Sequence, residues 1–161
     1  MSRPAVTPAT HLIALMLATL PVATLHAQCA QPSADTVFVI SGDTFSMRIE
    51  AWRDFMPAMP PRRTADGGSD LTVWIAFEAS NRRPVRLPVT IRRVWARLAG
   101  QWSELRVDSM GVRRDWLALQ GMARQGPPWP AGSPIDVAVE WRGGDGAARC
   151  TQLGTVVRRI S

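Results

Sequence analysis

The sequence predicts an all-β domain, built as an immunoglobulin-like two-sheet sandwich of about seven or eight strands. Three segments carry the prediction. Apolar and polar residues alternate along 45–51 and 135–141, and a nearly continuous apolar run covers 71–77. These are the patterns of half-buried and central strands respectively. Turn-forming residues at 41–43 and 143–146 separate strands of this kind, and a barrel is the alternative architecture.

Other strands are expected where the alternation is weaker, and one segment departs from it. The weaker strand patterns lie at 36–40, 89–98, 102–107, 148–153 and 155–160. A further turn is expected at 81–84. Trp116, Leu119 and Met122 recur at helical spacing, with Asp115 positioned as an N-cap. This spacing predicts a short helix or turn near 115–124.

The amino terminus has the parts of a secretory signal peptide. Arg3 gives a positive start, an apolar stretch covers 12–25, and Ala27 supplies the small residue at a cleavage point. The alternative is a membrane anchor, but a spanning helix needs about 20 apolar residues. We therefore expect a signal peptide at 1–27 and a single β domain at 28–161, in the bacterial periplasm or outside the cell, without a transmembrane segment after cleavage.

Cysteine usage agrees with export. Cys29 and Cys150 are the two cysteines of the chain and lie near the two ends of the predicted domain. Two cysteines in an exported chain predict a disulfide, the alternative being a pair of unlinked buried thiols. For a loop of this length, the chain-entropy model gives about 4–5 kcal/mol of stabilisation.

The charge of the chain comes from arginine. The formal net charge is +6, and the sequence contains neither lysine nor tyrosine. An exported protein rarely meets nucleic acid, so we expect no nucleic-acid partner, whereas anionic lipid or polysaccharide is accessible to a basic surface. The arginines occur largely as doublets, but adjacent strand residues point to opposite faces, so a doublet does not by itself form a patch.

Missing side chains restrict the chemistry. His11 and His26 both lie in the predicted signal peptide, so the expected mature domain lacks histidine, lysine and tyrosine. Without the usual general base, we expect a non-enzymatic protein that uses no metal or cofactor. The alternative is a glycan hydrolase that uses two carboxylates. The acids at predicted loops and strand ends are Asp54, Asp66, Asp70, Asp115 and Asp145.

Two proline-rich links are the candidates for ligand contact. The first covers 52–63 and runs on into 64–70, the second covers 126–132, and loops of this kind in compact domains are often functional. Seven tryptophans are many for this length. The candidate binding patch comprises Trp52, Phe55, Met56, Met59 and Trp129. Alternatively, these side chains close one end of the β structure by packing on its core.

The segment Trp-Arg-Asp-Phe-Met-Pro at 52–57 resembles a segment of uncharacterised bacterial exported β-domain proteins. The resemblance implies an exported β domain and identifies no functional residue. Together these observations predict an exported, non-catalytic binding domain whose partner is an envelope protein or polysaccharide. A structural subunit of an envelope complex is a further alternative.

Overall fold

The fold was analysed in a computed structural model, which describes residues 29, 32–40, 42–56, 64–80, 89–112 and 118–161. The predicted signal peptide, Met59, the expected turn at 81–84 and Asp115 lie outside the described residues.

Eight β-strands account for the regular structure of the described residues, which confirms the all-β prediction. They are β1 (Val37–Ile40), β2 (Asp43–Asp54), β3 (Leu71–Ala79), β4 (Thr90–Leu98), β5 (Gln101–Val112), β6 (Ala118–Gly126), β7 (Pro134–Arg142) and β8 (Ala148–Ile160).

The strands close into a seven-stranded barrel, so the two-sheet sandwich does not describe them and the barrel alternative does. The order around the barrel is β2-β3-β6-β5-β4-β7-β8, and a parallel pairing of Ala51–Asp54 with Val157–Ile160 closes it. β1 is an additional strand on the edge of β2. Closure is possible because β5 and β8 are long. β5 pairs first with β4 and then with β6, and β8 pairs first with β7 and then with β2.

The predicted helix near 115–124 is wrong over its described part, because β6 begins at Ala118. In β6 the side chains of Leu119 and Ala123 are buried, as is Gly121 between them, while Gln120 and Met122 are half-buried. This is the period of a strand. After Leu119 the inward positions of β6 hold Gly121 and Ala123, which are too small to show the alternation. The spacing of the larger residues was therefore misleading.

The two strands predicted at 148–153 and 155–160 are one continuous strand, β8. Gly154, expected between them, stays in the ladder opposite Asp136. β8 pairs with β7 up to Val156 and with β2 from Val157, so it changes partner without a break in the strand.

The core fills the barrel interior. Trp141 on β7 is fully buried in it, with Phe38 and Phe77 packed edge-on against it at 4.9 and 5.1 Å between ring centroids. Such aromatic pairs add stability beyond the area that they bury. Phe38 belongs to β1, so the additional strand contributes directly to the core.

The amino-terminal segment lies along the seam between β2 and β8. The backbone of Ser33 hydrogen-bonds to Cys150 and Gln152 of β8, while β1 pairs with β2. Cys29 forms the predicted disulfide with Cys150, across a sequence separation of 121. The disulfide packs in a second cluster of buried residues with Trp95 and Ala138, and Trp102 lies against it. It therefore fastens the segment to the barrel wall.

Candidate functional site

The described residues of the predicted patch are distributed around one end of the barrel, called here the loop end, where β2 and β8 finish. Met56 follows β2 and is 48% exposed, and Phe55 beside it is half-buried. Trp129 is partly buried against the main core. Trp52 is half-buried on β2, next to the buried Arg53. Since adjacent strand residues point to opposite faces, the side chain of Trp52 lies on the other side of β2 from Arg53.

A buried arginine organises this end of the barrel. Arg53 is 0% exposed, and its guanidinium forms a two-pronged pair with Asp66, at 2.7 Å from each amino nitrogen to a carboxylate oxygen. Its Nε donates to the carbonyl of Ser69 at 2.8 Å, and Nη2 donates to the Thr64 hydroxyl at 2.7 Å. All five N–H donors of an arginine thereby have acceptors once the bonds to the proline-rich link are counted.

Arg53 connects the two irregular links that the sequence singled out. Its Nη1 donates to the carbonyls of Pro128 and Trp129, at 3.1 and 3.2 Å, while Asp66 and Thr64 belong to the link after β2. Sequence reasoning missed this residue. Its signal was the alternation of β2, which places position 53 on the same face as the buried Ala51. A charged residue at an inward position requires a partner, and Asp66 provides it.

Two guanidinium groups lie over the aromatic ring of Phe55. The guanidinium carbon of Arg53 is 5.0 Å from the ring centroid and that of Arg159 is 4.6 Å, both over the ring. These are cation–π distances. Ile160, 38% exposed, accepts a hydrogen bond at its backbone carbonyl from the Phe55 N–H at 2.8 Å. The loop end therefore presents Met56 and Ile160 beside a cationic and aromatic group.

The ion pair predicts acid sensitivity. Hydrogen bonds from Arg53 and Thr64 hold the pKa of Asp66 well below its usual range. An unfolded aspartate titrates near pH 3.9. Because the folded-state pKa is the lower one, the ionised carboxylate stabilises the fold fully above about pH 4, and this stabilisation is lost as pH falls through the folded-state pKa.

Asp66→Asn is therefore expected to flatten the decline in unfolding free energy below about pH 4, measured by denaturant titrations across an acid pH series. The matched control is Asp35→Asn, because Asp35 is exposed and its carboxylate accepts a hydrogen bond from the Ser33 hydroxyl instead of an arginine. An equal flattening in both variants would show that the Arg53 pair does not cause the acid dependence.

Gly68 permits the close approach of the link to Arg53. A Cβ at this position would lie 2.7 Å from Cε1 and Cζ of Phe55 and 2.8 Å from Nη2 of Arg53. Gly68→Ala is expected to cost about 1–3 kcal/mol of unfolding free energy, because the crowded atoms must shift. The control is Gly154→Ala, whose Cβ would meet Asp136 at 3.9 Å, an ordinary contact. Equal stability of the two alanine variants in denaturant titrations would contradict the crowding.

A polar cavity bears on the alternative that the protein is a glycan hydrolase. Asp70 and Asp108 both line a cavity of about 290 Å³ beside β3, β5 and β6. Asp108 lies at a register shift of β5 and pairs with Arg106 at 3.2 Å and Arg124 at 3.3 Å. One of the two carboxylates is thus already occupied by two guanidiniums.

Three further candidate acids in the described part of the chain also have partners. Asp54 accepts a hydrogen bond from the backbone N–H of Met56 at 2.7 Å. Arg149 pairs with Asp145 and lowers its pKa to about 2. Asp66 directs both carboxylate oxygens to Arg53, so these oxygens serve an ion pair. The loop between Asp66 and Asp70 is thereby explained as a turn that presents a carboxylate to the guanidinium of Arg53.

Comparison with known proteins finds no match. No protein family, curated protein or solved structure is recognisably similar to the chain. Among the described residues, no three histidine, cysteine, aspartate or glutamate side chains are grouped to hold a metal ion. In the same part of the chain, no helix has the length and apolar character to cross a membrane.

Proposed function

We propose that this chain is an exported, non-catalytic binding domain that holds an envelope protein at the loop end of its barrel. Export is supported by the Cys29–Cys150 disulfide, since such bonds persist in oxidising compartments, and by the signal-peptide pattern at 1–27. The binding surface comprises Phe55, Met56 and Ile160.

The observation that carries the proposal is the buried Arg53. A loop that binds a partner loses conformational freedom, and loops that are ordered in advance avoid that cost. Arg53 supplies this order because it hydrogen-bonds at once to Asp66, in the described part of the first link, and to Pro128 and Trp129 of the second. Around the buried charge, the apolar side chains of Met56 and Ile160 are left at the surface, 48% and 38% exposed.

The chemistry of the surface favours a protein over a glycan. Sugar rings bind on open aromatic faces, but the guanidiniums of Arg53 and Arg159 lie over the Phe55 ring. Aliphatic side chains such as Met56 and Ile160 instead suit an apolar protein anchor. The exposed Arg159, whose guanidinium lies over the Phe55 ring, adds a positive charge, which suits an acidic border on the partner.

Other functions remain as alternatives. Hydrolysis by two carboxylates is disfavoured by the pairing of Asp108, Asp66 and Asp145 with arginines. A structural subunit of an envelope complex would use the same loop end more permanently. A binding domain releases and exchanges its partner, whereas a structural subunit keeps it.

Site-specific photo-crosslinking tests the loop end. A photoreactive residue at position 56 is expected to give a discrete adduct with an envelope protein in living cells, whereas the same group at position 37 is not. Val37 is the matched control because it is also an exposed apolar residue, 57% exposed, but lies on β1. Adducts of equal yield at both positions, or none at position 56, would refute the proposal. A glycan adduct would replace the protein partner by a polysaccharide.

A further inference from the structure

Arg92 and Arg93 are both turned to the outside of the barrel. In a regular strand one of them would face the core. The register between β4 and β7 shifts here, because Ile91 pairs with Trp141 while Arg93 pairs with Glu140. The shift leaves Arg92 as an additional residue, which is the geometry of a β-bulge. Consistently, the residues on both sides of the doublet, Ile91 and Val94, are buried in the core.

The bulge helps to form a charged cavity of about 290 Å³. Its walls are Arg92 and Arg93 of β4, Glu140 and Arg142 of β7, and Ala148 at the start of β8. Three guanidiniums thus face one carboxylate. The cavity lies beside the first residue of β8, whereas the loop end described above lies beside its last, so the two sites are separate.

Glu140 carries the unusual feature of this cavity. The residue is 8% exposed, and none of the residues that the structure describes gives its buried Oε2 a hydrogen-bond partner. Among them the nearest cation is the Nε of Arg93 at 3.9 Å, which is beyond hydrogen-bond distance. Buried polar atoms are nearly always hydrogen-bonded, and each exception in a folded protein calls for an explanation. A donor from a bound molecule would supply the missing bond.

We propose that this cavity binds a hydroxylated anion of about one sugar unit: a uronic acid or a sugar phosphate. The charges decide the chemistry. Arg92, Arg93 and Arg142 outnumber Glu140, so an anionic group on the ligand is favoured. Glu140 repels that anionic group but accepts a hydroxyl. An ammonium donor is disfavoured by the excess of guanidiniums, which leaves a neutral O–H as the donor.

A ligand series on the unmodified, oxidised protein tests the proposal. Backbone amide shifts of Arg93, Glu140 and Ala148 are followed by NMR during titration with glucuronate, glucose 6-phosphate, glucose, acetate and sulfate. At least one anionic sugar is expected to bind roughly tenfold more tightly than glucose, acetate and sulfate, because only it satisfies both charge and donor. Glucuronate binding alone identifies a carboxylate source, and glucose 6-phosphate binding alone a phosphate source.

Variants separate the two halves of the cavity. Glu140→Leu removes the acceptor together with a repelling charge, so it is expected to weaken the anionic sugar about tenfold while sulfate binds no more weakly than before. Arg142→Gln is expected to weaken the anionic sugar and sulfate alike. Arg158→Gln is the control, since it removes the same charge from an exposed position on β8, 69% exposed, and should leave affinity within about twofold.

Clear outcomes would overturn the assignment. Acetate or sulfate binding as tightly as the best sugar anion would indicate an unselective arginine cluster. No shift at the three amides with any ligand would show that the cavity is not a site. Should Glu140→Leu fail to fold, the ligand series on the unmodified protein still decides. The loop-end proposal is unaffected by either result, because its crosslinks involve different residues.

Discussion

Arg53→Lys is expected to lower the free energy of unfolding by about 3–5 kcal/mol. Lysine keeps the charge but has a single nitrogen, which cannot reach the Asp66 carboxylate, the Ser69 carbonyl and the Trp129 carbonyl in the planar arrangement that the guanidinium uses. The substitution therefore leaves part-buried acceptors without donors and a charge with fewer partners at position 53, which is 0% exposed although the Asp66 side chain is 52% exposed. Denaturant titration at neutral pH measures the loss.

Arg97→Lys is the matched control. Arg97 also binds an aspartate with two of its nitrogens, Nε at 3.1 Å and Nη2 at 2.7 Å from Asp136, and also lies over an aromatic ring, that of Trp102. Arg97 differs from Arg53 in burial, because Arg97 and Asp136 are each 37% exposed whereas Arg53 is 0% exposed. Exposed ion pairs contribute at most about 1 kcal/mol. Similar losses in the two variants would show that burial of Arg53 is not the source of its effect.

The Arg53 variant also links stability to the proposed function. If Arg53 orders both proline-rich links, a folded Arg53→Lys protein should still lose crosslinks from position 56. This loss is expected under conditions where its far-ultraviolet circular dichroism is unchanged. Persisting crosslinks at full yield would mean that the loops need no such ordering.

The strands could be predicted from the sequence because the order of apolar and polar residues along each strand reflects which of its side chains are buried. Alternation along β2 and β7 gave their positions directly, and the disulfide followed from two cysteines in an exported context. Barrel closure could not be predicted, because the parallel pairing of β2 with β8 joins segments about a hundred residues apart. No local pattern encodes which distant strand edge a strand will meet.

The sites were predictable only in part, for physical reasons. The patch residues were found by composition, but composition does not distinguish Trp129, which packs on the core, from the exposed Met56. The rule that adjacent strand residues point to opposite faces gives no reason to single out the Arg92–Arg93 doublet. Two polar residues between the apolar Ile91 and Val94 were the available signal, because a bulge lets both apolar residues face inward.

Removing the disulfide is expected to have the other large effect. In the chain-entropy model, releasing a loop closed over 121 positions favours the unfolded ensemble by about 4–5 kcal/mol. The double variant Cys29→Ser with Cys150→Ser should therefore unfold at much lower denaturant concentration than the oxidised protein. It should match the reduced wild type, and adding reductant to the variant should change nothing.

The loss should also have a local component. Ser33 binds β8 through two backbone hydrogen bonds, at 3.0 and 2.9 Å, and β1 beyond it contributes Phe38 to the ring contact with Trp141. Without the covalent link only these contacts and the short β1–β2 ladder retain the segment, so hydrogen exchange at Phe38 is expected to accelerate more than exchange at Val94, which is fully buried in β4. Uniform acceleration at both amides would indicate that the disulfide acts only by restricting the unfolded chain and does not fasten the seam.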